Sequence, residues 1–224
     1  MKKHLLTACT VLLSVAAMAQ KPTEGNSSSL EVQLNLTGNA STITAPGLKY
    51  RYFLSPKMAI RFGLDLGSSN DENNFTENPD GTGATGTQTL KSSGWMVSPG
   101  FEYHCPGTEK LSPYVGLVIG IGGGKETEEW SNYNGTGYEA GTSATIEAPY
   151  SQFGVSLVAG ADFYFAQDFF VGAEFGFTTQ STTFKEGETR YSDSNGSSVT
   201  KTPESKSSEM GIGETAALRL GWRF

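Results

Sequence analysis

Apolar and polar side chains alternate one for one through eight stretches of this chain. A period of two residues is the signature of a β-strand whose faces meet different surroundings. The last stretch shows it best: Ala216, Leu218, Leu220, Trp222 and Phe224 share one face, while Ala217, Arg219, Gly221 and Arg223 share the other. The same pattern runs through about 30–36, 48–54, 58–66, 95–103, 115–121, 153–165 and 169–177, and the closing strand begins near Met210. No long stretch carries a 3.6-residue helical period. The reading is all-β, with eight strands in an antiparallel up-and-down arrangement.

The links between strands sort by length. Ser55-Pro56-Lys57, residues 105–112 and Ala166-Gln167-Asp168 are short turns. Polar stretches at 68–89, 124–146 and 180–207 are read as long loops, and the first link, about 37–45, is modest. Short turns at one end and long loops at the other is the layout of a transmembrane β-barrel.

Alternation alone does not say which face is wet, because a soluble ligand-binding barrel alternates too, with its apolar face inward. The polar face decides. It carries Gly63, Gly94, Gly100, Gly116, Gly120, Gly154, Gly160, Gly172, Gly176, Gly211, Gly213 and Gly221. Glycine weakens a strand and packs nothing, so a solvated face has little use for it. The interior of an eight-stranded barrel is only just wide enough for side chains to fill, and small residues fit there. The Gly-rich face is therefore expected to point inward and the apolar face to lipid.

Five bases, Lys49, Arg51, Arg61, Arg219 and Arg223, then share the lumen with five acids, Glu31, Asp65, Glu102, Asp162 and Glu174. Buried charge is tolerated when paired and hydrogen-bonded, so a charge-plugged lumen is expected, with Tyr114 and Tyr164 filling gaps. Pro99 interrupts a strand of a barrel that has no edge, which predicts a bulge or a lost ladder bond.

The chain opens with MKKHLLTACTVLLSVAAMAQ. Lys2 and Lys3, an apolar run over 5–17 and the small-x-small Ala17-Met18-Ala19 read as a signal peptide, residues 1–19. A short linker, 20–27, and a barrel domain, 28–224, are expected to follow. Leu6-Thr7-Ala8-Cys9 offers a lipoprotein-type alternative, but too little apolar sequence precedes Cys9. Loss of Lys2 and Lys3 would deepen the formal charge of −7 by two, which disfavours nucleic acid as a partner. It would also leave Cys105 without an internal disulfide partner.

These features resemble the small outer-membrane β-barrel proteins of the OmpA/OmpX type, over about residues 28–224. The resemblance rests on the strand pattern and on Leu218, Leu220, Trp222 and Phe224, a terminal aromatic with alternating apolar residues. It implies that these four form the signal read by the barrel-assembly machinery of a Gram-negative bacterium. The Ala19-Gln20 junction is similar to those of exported Bacteroides-like proteins. Outer-membrane lipid is the implied surrounding, and a monomer the expected state.

Motifs for chemistry fail on inspection. Residues 120–125, GIGGGK, lack the first Gly of a phosphate loop, and Glu126 stands where Ser or Thr is needed. Residues 211–216, GIGETA, fit a loose dinucleotide fingerprint, but only eight residues follow, too few for a βαβ unit. His104 and Cys105 are neighbours in sequence at a short turn, without a third orienting group or a metal-ligand set. Barrel enzymes that modify lipids, by resemblance, place a His near the outer leaflet; His104 belongs at the other end. No catalytic residue, metal or cofactor is expected. The expected role is envelope-structural or surface-binding through the acidic, aromatic-bearing loops, with Phe75, Trp130, Tyr133 and Tyr138 as candidates for binding an extracellular protein, carbohydrate or cationic partner. A narrow gated pore for ions or small solutes is the alternative.

Overall fold

The computed structural model describes residues 27–35, 47–212 and 217–224. The expected signal peptide, most of the linker and the first link all lie outside these residues. The segments are β1 (Ser27–Asn35), β2 (Gly47–Ser55), β3 (Met58–Thr76), β4 (Thr85–His104), β5 (Leu111–Tyr133), β6 (Tyr138–Tyr164), β7 (Phe169–Phe184), β8 (Gly187–Asp193), β9 (Gly196–Thr202), β10 (Ser205–Ile212) and β11 (Ala217–Arg223). They are pieces of eight antiparallel strands. β7 and β8 lie end to end along β6, while β10 and β11 both run back along β7 and β9 runs back along β8. Tyr150 faces Phe184 but Glu147 faces Glu188, so one extra residue is looped out between β7 and β8 as a β-bulge.

The sheet closes on itself. β11 pairs with β7 on one side and β1 on the other, completing a ring of β1–β7 and β11. Ser28 and Phe224 exchange both backbone hydrogen bonds, at 2.9 and 2.8 Å. Among the described residues closure leaves no strand of the ring with an unpaired edge, the condition that hydrocarbon imposes on a β-protein.

The faces are sorted in reverse of a water-soluble protein. Leu157 and Phe175 on the outside are both 61% exposed, while Arg51 and Glu102 on the inside are 0% exposed. The apolar stripe has a definite height. On β3 it runs Met58, Ile60, Phe62, Leu64, Leu66, and then gives way on the same face to Ser68, Asn70 and Glu72. About 9–11 tilted residues cross a bilayer, so the stripe matches one hydrocarbon thickness.

The three polar stretches expected as loops are mostly strand. β3 and β4 stay paired up to Thr76 and Thr85, and β5 and β6 up to Tyr133 and Tyr138. Above the apolar stripe both faces meet water, so hydrophobic alternation vanishes while hydrogen-bonded pairing continues. What remains of the loops is tight turns. At one tip the Asn134 side-chain oxygen accepts hydrogen bonds from the Thr136 and Gly137 amides at 2.9 and 3.1 Å.

Pro99 costs ladder pairing without a bulge. Val97 faces Ile121 and Gly100 faces Val118 in one unbroken register, and only the two intervening pairs are missing.

Candidate functional site

The lumen is crossed by a single cluster to which every strand of the ring contributes. Glu31 comes from β1, Lys49 and Arg51 from β2, Arg61 from β3, Glu102 and His104 from β4, Tyr114 from β5, Asp162 from β6, Glu174 from β7 and Arg219 from β11. Seven of the eight inward charges have room because a glycine lies beside them on a neighbouring strand; the eighth, Arg51, faces Ser29 and Arg61. Gly63 faces Lys49, Gly100 faces Arg61, Gly116 faces Glu102, Gly160 faces Glu174, Gly172 faces Asp162 and Arg219, and Gly221 faces Glu31.

Arg51 is the hub. Its guanidinium meets Glu31, Glu102 at 3.0 Å and Asp162 at 2.7 Å. It also lies 5.1 Å from the centre of the Phe170 ring and 5.5 Å from that of Phe53, contacts that cation–π attraction favours. Arg61 grips Glu174 with two nitrogens, at 2.8 and 3.0 Å, and reaches Glu102 at 3.0 Å. Arg219 bridges Glu31 at 2.9 Å and Asp162 at 2.7 Å. Lys49 sits among Glu31, Glu174 and Glu102 at 3.5, 3.4 and 3.9 Å. The Tyr114 hydroxyl donates to Glu174. Four cations meet four carboxylates.

The two other residues expected in this cluster stand apart from it. Asp65 lies four residues along β3 from Arg61, and Arg223 four residues along β11 from Arg219, about 13 Å of strand in each case. Asp65 faces the upper lumen. Arg223 reaches the end of the barrel, where it pairs with Asp168 at 3.2 Å and is partly exposed. One acid and one base drop out, so the balance survives.

His104 and the hydroxyl of Tyr114 were not foreseen as polar members. The signal was parity: His104 continues the Glu102 face of β4, and the polar run of β5 begins with inward Ser112. His104 Nδ1 lies 2.9 Å from the Ser112 hydroxyl and Nε2 lies 3.3 Å from Glu102. The order is that of a Ser–His–acid relay. All three groups are buried, however, and Glu102 is already held by Arg51 and Arg61. Such a relay needs an exposed nucleophile and an oxyanion site, and Ser112 is 3% exposed. Among the described residues no group of three potential metal ligands occurs.

The interlocking of glycine and charge yields a test. A Cβ on Gly160 would collide with the Tyr114 phenol and stand 2.7 Å from the Ala173 carbonyl, whereas one on Gly67 would meet nothing within 4 Å. Gly160→Val is expected to destabilise the barrel by about 1–3 kcal/mol through overpacking, and Gly67→Val to leave it unchanged. Urea midpoints of the two variants compare them directly.

Above the cluster the lumen widens into a cavity of about 870 Å³ with Lys49, Arg61 and Glu174 as its floor. Higher still, on the water-exposed hairpins, three of the four candidate rings converge. Phe75 stacks on Tyr133 with centroids 4.3 Å apart, and Trp130 meets Tyr133 edge-on at 5.3 Å. Glu128 accepts hydrogen bonds from the Trp130 indole at 2.6 Å and from Gln88 at 2.5 Å. Tyr138 is tied to Tyr133 only through the ladder across the turn. Nearby, a hydrogen bond from Lys125 holds the Glu147 carboxyl below its usual range. At the other end Leu218, Leu220, Trp222 and Phe224 project outward, with the last two rings 4.9 Å apart.

This closed, inside-out ring has the form of a membrane-spanning β-barrel. Residues 5–224 match the outer membrane protein beta-barrel domain, and the chain belongs to that family. Two solved structures align over most of its length. The outer membrane protein AlkL in lipid bilayers is 14% identical, with 90% of this chain and 91% of that chain covered and a TM-score of 0.38. The outer membrane protease OmpT from Escherichia coli is 9% identical, with 90% and 94% covered and a TM-score of 0.40. No curated protein sequence matches the chain.

Proposed function

We propose that this chain is a non-enzymatic outer-membrane barrel, exported by a signal peptide cleaved after Ala19, with a sealed lumen and a binding role on its raised hairpins. The observation that carries the sealed-lumen reading is the match of four cations to four carboxylates, with each strand of the ring contributing to the cluster. Ions in transit would have to separate charges held at 2.7–3.0 Å in a space that side chains already fill. The binding role rests on the Phe75–Tyr133–Trp130 cluster beside Glu128 on the raised hairpins, where half-exposed Phe75 and Trp130 enclose a buried Tyr133. Aromatic faces framed by carboxylates suit carbohydrate or cationic partners.

A gated pore is the second reading, favoured by the open cavity above the cluster. Planar-bilayer recording separates the two. The purified barrel is expected to be electrically silent; steady conductance that rises in Arg61→Ala or Glu174→Ala would favour the pore. Topology has its own test. Protease added to intact cells should cut near the tips at 77–84, 134–137 and 194–195 and spare the turns at 56–57, 105–110 and 165–168. Recovery in the soluble periplasm would reject the placement.

A further inference from the structure

We propose that the upper lumen is a binding site for a small amine-bearing polyhydroxyl solute, of amino-sugar size and chemistry, with Asp65 as the group that takes its ammonium. This goes beyond the hairpin binding reading and rests on the sealed-lumen reading above, since the site lies in the mouth of the barrel, apart from the hairpin tips. The cavity of about 870 Å³ falls in the range of small-molecule sites, and its closed floor makes it a cup.

The walls are chemically specific. Gln152, Gln180, Ser98, Ser156 and Thr178 line it from β4, β6 and β7. Amides and hydroxyls both donate and accept, as recognition of sugar hydroxyls requires. The Ser156 and Thr178 hydroxyls already bond each other at 2.9 Å, and each retains capacity for a second partner. At the rim Tyr150 offers a ring face, lying across the inner side of Gly94 and Gly124.

The charge is equally specific. All four plug cations are matched by the four plug carboxylates, so the floor offers no surplus. Among the described residues no cation lies within ion-pair distance of Asp65, and Arg61, whose field reaches it, is committed to Glu102 and Glu174. Among the described residues that line the cup, Asp65 is therefore the one uncompensated charge. A half-buried carboxylate without a partner favours a cation bearing N–H donors. An anionic solute would be repelled, and one carboxylate without two further ligands is a poor metal site.

Titration of the full-length protein in nanodiscs with glucosamine and with glucose, read by calorimetry, tests the proposal. Glucosamine should bind saturably and about tenfold more tightly than glucose, the margin expected of one charge-assisted hydrogen bond. Asp65→Asn should erase that margin, and Gly120→Trp, which fills the cup, should abolish both interactions. Equal binding of the two sugars, no binding by the wild-type barrel, or an unchanged preference in Asp65→Asn would overturn it. Bilayer recording on the same preparation judges the sealed-lumen reading separately, since a silent barrel that ignores glucosamine defeats only the amino-sugar site.

Discussion

Arg51→Ala is expected to destabilise the folded barrel by about 3–5 kcal/mol, the usual cost of removing one partner from a buried ionic network. Arg51 is fully buried and touches Glu31, Glu102 and Asp162. Its loss leaves four carboxylates to share three cations in a buried cluster, where charge is poorly screened. It also uncovers the Phe53 and Phe170 ring faces. Arg223→Ala is the matched control. Its partner Asp168 is 40% exposed, so the change should stay within about 1 kcal/mol. Equilibrium urea unfolding in lipid vesicles measures both. Equal losses, or none at Arg51, would mean that the cluster does not hold the barrel together.

A second comparison asks what surrounds the outer face. Leu157 and Val199 are each 61% exposed, yet they stand at different heights. Leu157 lies within the apolar stripe of β6, while Val199 lies on β9, beyond the stripe. Leu157→Arg should cost about 2–4 kcal/mol in vesicles if it falls near the middle of the hydrocarbon. Val199→Arg should cost nothing measurable, because it is placed in water. Two residues with the same accessible fraction would then differ only in their solvent. If Leu157→Arg were silent, the apolar face would not be meeting lipid.

The sequence made some of this architecture legible and concealed the rest for physical reasons. Strand parity was readable wherever the two faces meet different media, so the inward set of charges on β2, β3, β4, β6, β7 and β11 follows from alternation alone. Where both faces are wet, as on the upper halves of β3 to β6, the same hydrogen-bonded ladder leaves no hydrophobic signature. Parity also says nothing about height. Asp65 and Arg223 share the face of the plug but stand a turn of the lumen away from it, and only the register reveals that.

The ring cluster was hidden in another way. Parity puts Tyr133 and Trp130 on opposite faces of β5. Asn132, with φ of 49°, adopts the left-handed region that asparagine tolerates, and the register shifts between Ser131 and Tyr133. That shift carries Tyr133 round to the side of Trp130 and Phe75. The Asn132 side chain accepts a hydrogen bond from the Gly141 amide at 2.9 Å across the hairpin, which fixes the reversal.

The interleaving of glycine with charge has a consequence for how the barrel is built. A strand that slides by two residues keeps every greasy side outward, so hydrophobicity cannot detect the mistake. On the β6–β7 seam, where Asp162 now faces Gly172 and Glu174 faces Gly160, such a slide would set Asp162 against Glu174 or against Phe170. Misalignment therefore brings acid to acid or acid to aromatic ring where a glycine now leaves room. The glycines act as a key cut for one alignment, letting an assembling wall reject near-miss pairings that its lipid-facing side would accept.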